Sequence, residues 1–401
     1  MTRTALLVAL ALLPPAPAGA VHFGLAKAVA AEAVKVVDKA APSLPTCGGR
    51  LALFTQAPVT DSRLVSINPL GHLIPPGHTF PSDHLYMNFN PSGGAAVSLY
   101  APSDGWVTQV TEILTGSSVS SYSLAFQPCA EVTLNFLSIS TVVSGLLNTT
   151  PSFRQCSSDG QGYPGATGTC TISLRAAVKA GDLIGTGPAT TIDFGPLEDT
   201  RMQLTGFANS SRHTLSRGFC PLNYFASSVQ TTYGALLGGN NGARFLARSV
   251  SPTCGTIVQD VSGTAQGDWY RIGSPDIPDN PHLALVHDNI SPSTATLSVG
   301  SSVPGFQGAH AVFPKTTADG TRIDYDFNLI QDTQIYCYDG FQSTFNSGLF
   351  SPDTSLSGRI AIVQLTGSSL GNLTLELQNP GTSCAAAAPW SFTGSAVNFQ
   401  R

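Results

Sequence analysis

Charge is scarce in this sequence. Of 401 residues, 19 are basic and 24 acidic, 11% together, where an ordinary soluble domain carries about 25%. Five lysines and a formal net charge of -5 leave no basic stripe to neutralise phosphates, which excludes a nucleic-acid binder. So little charge beside 40 Gly and 28 Pro excludes a coiled coil or helical bundle, because both residues break helices. The eight cysteines form no Cys-x-x-Cys pair, so neither a zinc ribbon nor a thioredoxin-like motif is supported. No apolar run approaches the roughly 20 residues of a membrane-spanning helix, and no glycine-rich phosphate loop is present.

What is there reads as an exported β-protein. Arg3, the apolar run Ala5 to Leu13 and the small residues Ala16-Pro17-Ala18-Gly19-Ala20 match a secretory signal over 1–20, cleaved near Ala20 into a periplasmic or extracellular space. Residues 25–40 are Ala-rich and free of Gly and Pro up to Pro42, which predicts a short helix within a 21–46 linker. After Cys47, short β-branched runs such as Val97-Ser98-Leu99-Tyr100, Val107-Thr108-Gln109-Val110 and Ile360-Ala361-Ile362-Val363 are punctuated by Gly, Pro and Asp turns. The expected fold class is all-β, a sandwich or barrel over 47–212 followed by a β-rich domain over 213–401. Cys47, Cys129, Cys156, Cys170, Cys220, Cys254, Cys337 and Cys384 suit disulfides in an oxidising compartment. Cys156 and Cys170 flank a Gly-rich turn and are the expected pair; sequence leaves the others open.

The informative stretch runs from Leu64 to Asp199. It holds Pro75-Pro76-Gly77-His78-Thr79-Phe80-Pro81-Ser82-Asp83-His84, then Ala101-Pro102-Ser103-Asp104-Gly105-Trp106-Val107, then Val178-Lys179-Ala180-Gly181-Asp182-Leu183-Ile184-Gly185. Gly105 and Gly181 are expected at positive φ in tight turns. This order resembles the lysostaphin-type zinc endopeptidases, which cleave the peptide cross-links of peptidoglycan. The resemblance implies a lysostaphin-like β-sandwich or barrel with its duplicated hybrid motif. It also implies zinc held by one His, one Asp and the second His of a His-x-His strand, whose first His assists the reaction. His78 and Asp83 take the first two places, one residue further apart than in the family's His-x-x-x-Asp, with His84 a spare imidazole beside them. A one-residue shift turns a strand side chain to the other face, so a bulge or loop is needed.

Where His-x-His should stand, the chain reads Thr191-Ile192-Asp193-Phe194. Asp193 can ligate a metal; Thr191 is a poor substitute for an imidazole that polarises an oxyanion. A His78/Asp83/Asp193 set is oxygen-rich and favours harder cations than zinc. His282 and His287 offer no replacement, since five residues apart they face opposite ways on a regular strand; this stretch is expected as a buried strand ending at an Asp288-Asn289 turn. Trp106 and Trp269 are candidate platforms for sugar rings. Asp324 and Asp326 alternate with apolar residues in Ile323-Asp324-Tyr325-Asp326-Phe327, a strand expected to turn both carboxylates to solvent. The reading is a secreted protein with a degenerate peptidase-like domain that binds peptidoglycan or another extracellular glycan or peptide without cutting it. The alternative is an active zinc peptidoglycan endopeptidase with the His/Asp/Asp set.

Overall fold

The computed structural model describes residues 43–401 apart from 91–93, 149–151, 159, 161–164, 241–243, 346–348, 353 and 368. The signal over 1–20, the helix over 25–40 and most of the 21–46 linker lie outside the described residues, as do the turn residues 91–93 and 161–164.

The first half of the described chain supplies twelve strands: β1 (Leu64–Asn68), β2 (Leu85–Phe89), β3 (Val97–Tyr100), β4 (Gly105–Thr115), β5 (Ser118–Cys129), β6 (Val132–Ile139), β7 (Thr141–Val142), β8 (Phe153–Ser157), β9 (Gly168–Val178), β10 (Leu183–Gly187), β11 (Thr191–Asp199) and β12 (Arg217–Phe219). They form a sheet in the order β1-β2-β11-β6-β5-β4-β9-β8, with β12 on β11, and a small sheet β3-β10-β7. Sequence alternation explains which way each strand faces. In β9, Cys170, Ile172, Leu174, Ala176 and Val178 are buried while Arg175 and Ala177 point outward or to the margin, the period of two that a half-solvated antiparallel strand demands. The inward residues of β2, β4, β5, β6 and β11 build one core with Met87, Val107, Phe126, Phe136 and Phe194.

That core continues past 212, where sequence puts the domain boundary. Cys220, Tyr224, Phe225 and Tyr233 belong to it, Tyr224 and Tyr233 donating to Asp199 and to the Val59 carbonyl. The first core therefore extends past 212 as far as Cys254, with the Phe225 ring packed on Phe54 and Phe194 and Tyr233 against Phe194.

The remaining strands are β13 (Gly238–Asn240), β14 (Phe245–Ala247), β15 (Gly267–Arg271), β16 (Leu283–His287), β17 (Thr294–Val299), β18 (Ala309–Pro314), β19 (Ile335–Tyr338), β20 (Gln342–Phe345), β21 (Leu349–Pro352), β22 (Ile360–Thr366), β23 (Asn372–Gln378) and β24 (Val397–Gln400). Among the described residues, all but β13 and β14 form a second sheet, β19-β22-β23-β24-β15-β16-β17-β18-β20-β21. Ile360-Ala361-Ile362-Val363 does not alternate because both faces of β22 are covered. Ala361 and Val363 face the main second core, and Ile360 and Ile362 face Cys337, Cys384 and Trp390.

Four disulfides pair Cys47–Cys129, Cys156–Cys170, Cys220–Cys254 and Cys337–Cys384. No helix among the described residues is long and apolar enough to cross a membrane. Two local expectations are corrected. Gly105 is not at positive φ; it is needed because a Cβ there would sit 2.6 Å from the Phe126 ring. Gly181, at φ +85°, does need its conformational freedom. The Asp324 and Asp326 carboxylates do not face solvent from a strand. Asp326 is 3% exposed and binds His287 Nε2 and Lys315 Nζ, each at 2.7 Å, because a buried carboxylate needs a cation beside it.

Candidate functional site

The strand register brings the candidate residues onto one face. Tyr86 of β2 stands opposite Asp193 of β11, and Asn88 opposite Thr191; Asp193 in turn is opposite Leu137 of β6. Directly paired residues share a face, and Thr191 Oγ1 duly donates to Asn88 Oδ1 at 3.2 Å. The same outward face continues across Thr133 and Asn135 of β6, Ser123 and Gln127 of β5, and Gln109 and Thr111 of β4. It forms an open cavity of about 390 Å³ bounded at one end by Glu198 and Arg217.

The floor is held by its own polar groups. Gln127 Nε2 donates to Thr133 Oγ1 at 3.0 Å and Gln109 Nε2 to Thr111 Oγ1 at 3.2 Å. Asn135 Nδ2 reaches the Pro196 carbonyl at 3.0 Å, where the register of β11 slips between Phe194 and Leu197. Trp106 is half-buried opposite Gln127. Trp269 is fully buried, with its Nε1 on the Ala265 carbonyl at 2.8 Å; as a core residue it cannot meet a sugar.

At the end of this floor the loop 69–84 carries His72, His78, Asp83 and His84. Leu73 and Phe80 of that loop form a small core with Tyr270, Ala284 and Val286 of the second sheet, and Phe80 stacks on His282 at 5.3 Å. The loop is thus wedged between the two sheets, which is why its histidines are covered: His72 is 5% and His84 2% exposed. The His78 and His84 rings stand 5.1 Å apart, and Tyr86 packs 4.8 Å from His84. Burial, and then repulsion from His84, push His78 down to about 4; burial, with neighbouring His310 and His78, pushes His72 down to about 3. Both are neutral imidazoles at neutral pH.

Asp83 does not stand beside His78 as a ligand pair. One oxygen takes His84 Nδ1 at 2.9 Å and the other Arg217 Nε at 2.6 Å, and Arg217 continues to Glu198 at 3.6 Å. Burial pushes the Asp83 carboxyl up, but the His84 bond and the Arg217 charge outweigh it and hold it well below the usual carboxylate range. Asp193 accepts from Ser138 Oγ at 2.7 Å.

The zinc that the resemblance implies needs three ligating atoms around one point. Among the described residues, the one group of three or more such side chains with all ligating atoms within 4.8 Å is Cys47, Cys129 and Glu131. Its sulfurs are joined to each other. As arranged, His78, Asp83 and Asp193 do not form the family's set, and no hydrolytic step is derived from them. Sequence reasoning overlooked Arg217, Tyr86, Glu198 and the carboxamide floor. The alternation of Gln, Thr, Ser and Asn along β4, β5 and β6 was the signal for the floor; Arg217 carried none, being brought to Asp83 only by pairing of β12 with β11.

No protein-family model matches the chain, and no curated protein matches it.

Proposed function

We propose that this chain is a secreted binding protein built on a degenerate lysostaphin-type scaffold, and that the outer face of β4, β5, β6 and β11 takes an extracellular peptide or glycan strand, as in peptidoglycan, without cleaving it. The observation that carries this reading is the open floor of Gln109, Gln127, Thr133 and Asn135, a neutral array of carboxamides and hydroxyls suited to hydrogen-bonding strands rich in amides and hydroxyls. Its preorganisation through internal hydrogen bonds lowers the ordering cost of binding. Two turns bearing the lysostaphin resemblance also meet in space: Asp104 accepts from Lys179 Nζ at 2.8 Å and from the Ala180 amide at 3.0 Å. Four disulfides fit an oxidising, exported setting.

The test is co-sedimentation of the mature chain with insoluble peptidoglycan sacculi, with the supernatant assayed for released muropeptides. Binding that falls at least tenfold in Gln127→Ala/Asn135→Ala, with no fragments released, is the expected result. Release of peptide fragments by the wild type, lost in His78→Ala, would instead establish the zinc endopeptidase centred on His78, Asp83 and Asp193.

A further inference from the structure

The open edge of the first sheet carries an uncovered aromatic ring that the groove reading does not use. We infer that Phe153 of β8 is a stacking platform for a pyranose ring, so that the strand taken by the outer face is a glycan chain rather than a peptide. This rests on the binding face proposed above and narrows its ligand class.

Register places the ring on the floor's own face. Phe153 pairs with Ser173 of β9, and Ser173 with Gln109 of β4; Gln155 pairs with Thr171, and Thr171 with Thr111. Directly paired residues share a face, so Phe153 and Gln155 extend the floor two strands beyond β4, about 10 Å at the usual strand spacing. Among the described residues the exposed aromatic side chains are Phe153, at 67%, and Phe245, at 36%, the latter on the separate β13–β14 pair. The reverse face of β8 holds the strand in place. Arg154 donates to Glu112 Oε2 through Nε at 3.2 Å and Nη2 at 2.6 Å, and Cys156 is joined to Cys170, its partner in register. An edge strand bearing a bare phenyl ring invites unwanted pairing; this one is tied down on one face and left open on the other.

The chemistry favours a sugar. The face of an aromatic ring is negative, and one face of a pyranose presents polarised C–H bonds to it while hydroxyl and N-acetyl groups reach sideways. Gln109, Thr111, Gln155, Thr171 and Ser173 offer those groups donors and acceptors without formal charge; on this face of β9 only Arg175 is charged. The charged residues lining the cavity, Glu198 and Arg217, stand at the end away from β8. From β6 to β8 the face crosses four strand spacings, about 19 Å, room for several consecutive rings. A peptide strand would instead add to the sheet edge or seat alternate side chains in pockets, and a ring 67% exposed lies in no pocket.

The experiment titrates the full mature chain by calorimetry with two probes, a linear tetramer of N-acetylglucosamine and the sugar-free stem peptide released from peptidoglycan. The expected result is that the tetramer binds and that Phe153→Ala weakens it about tenfold. Phe153→Leu weakens it as much, Phe153→Trp retains it, and Phe245→Ala leaves it unchanged. The inference is overturned if the wild type does not bind the tetramer, if Phe153→Ala or Phe153→Leu binds it as the wild type does, or if the stem peptide binds and depends on Phe153. Sacculus sedimentation separates the two claims. Loss in Gln127→Ala/Asn135→Ala with full binding in Phe153→Ala keeps the floor and overturns the platform, whereas no sedimentation of the wild type overturns the floor reading and this inference with it.

Discussion

Asp83 and Arg217 are 134 positions apart in sequence and meet at 2.6 Å. The contact ties the end of the wedged loop to β12, and so to the edge of the first sheet. Replacing Arg217 by Met leaves the Asp83 charge with His84 alone. With Arg217 41% exposed, water softens the loss, so a destabilisation of about 1 kcal/mol is expected by urea unfolding. The Asp83→Asn/Arg217→Met double variant should lose less than the sum of the singles, because the two side chains interact.

Trp269→Ala is expected to cost about 3–5 kcal/mol, the range for emptying a buried aromatic site. The ring is 0% exposed in the second core and covered by Arg401 at 4.1 Å. Measured on the folded fraction, sacculus binding should be unchanged. A specific loss of binding in a variant of undiminished stability would give Trp269 the role in sugar recognition that its burial denies it.

The stability of the second core should depend on pH through Asp324. Burial, assisted by the Asp339 charge, pushes its carboxyl up to about 7 from 3.8. The folded chain therefore holds a proton that the unfolded chain releases, so this contribution is full below about pH 4 and disappears as pH rises through about 7. Asp324→Asn keeps an acceptor for the Asp339 amide and tolerates the φ of +50°. Relative to wild type it should gain on the order of 1–2 kcal/mol at pH 8 and nothing at pH 4, read by thermal melting at both values. His72, His78 and His310, pushed down to between about 3 and 4, act oppositely in both proteins, losing stability as pH falls below 6.5.

Cys47–Cys129 spans 82 positions and Cys156–Cys170 only 14. Chain-entropy arguments give about 4.5 kcal/mol for the longer loop and about 3 for the shorter. Double Cys→Ser variants compared by calorimetry should rank in that order. Cys47–Cys129 should exceed its entropic share, since both residues are buried in the first core.

Four glycosylation sequons begin at Asn148, Asn209, Asn289 and Asn372. Asn289 is 6% exposed and donates to the Pro69 carbonyl at 2.9 Å, so a glycan there is incompatible with the fold. Produced in a eukaryotic secretory host, the folded protein should carry glycan on Asn372, which is exposed, and none on Asn289. Glycopeptide mapping reads both.

Local chemistry made much of this molecule legible before folding. Val97–Tyr100 and Ile360–Val363 announce strands because β-branched and aromatic residues between turn formers have few other outcomes. Cys156 and Cys170 could be paired from their short separation. Asp326 could not be placed that way. Its alternation with Tyr325 and Phe327 looks like a solvent-facing strand, and only the distant Lys315 and His287 make burial affordable. The role of Asp83 was hidden similarly: spacing from His78 suggests a ligand, while its actual partners are its neighbour and an arginine from another strand.

The sequence alone settled the all-β class, the even count of cysteines and the places where the chain must turn, because those depend on propensities and backbone freedom within a few residues. Tertiary structure alone decided that β2 lies beside β11, that the loop 69–84 is clamped between two sheets, and that Gln109, Gln127 and Asn135 make one floor. Strand order and register arise from packing two faces at once, and contacts between residues a hundred positions apart leave no local trace in the chain.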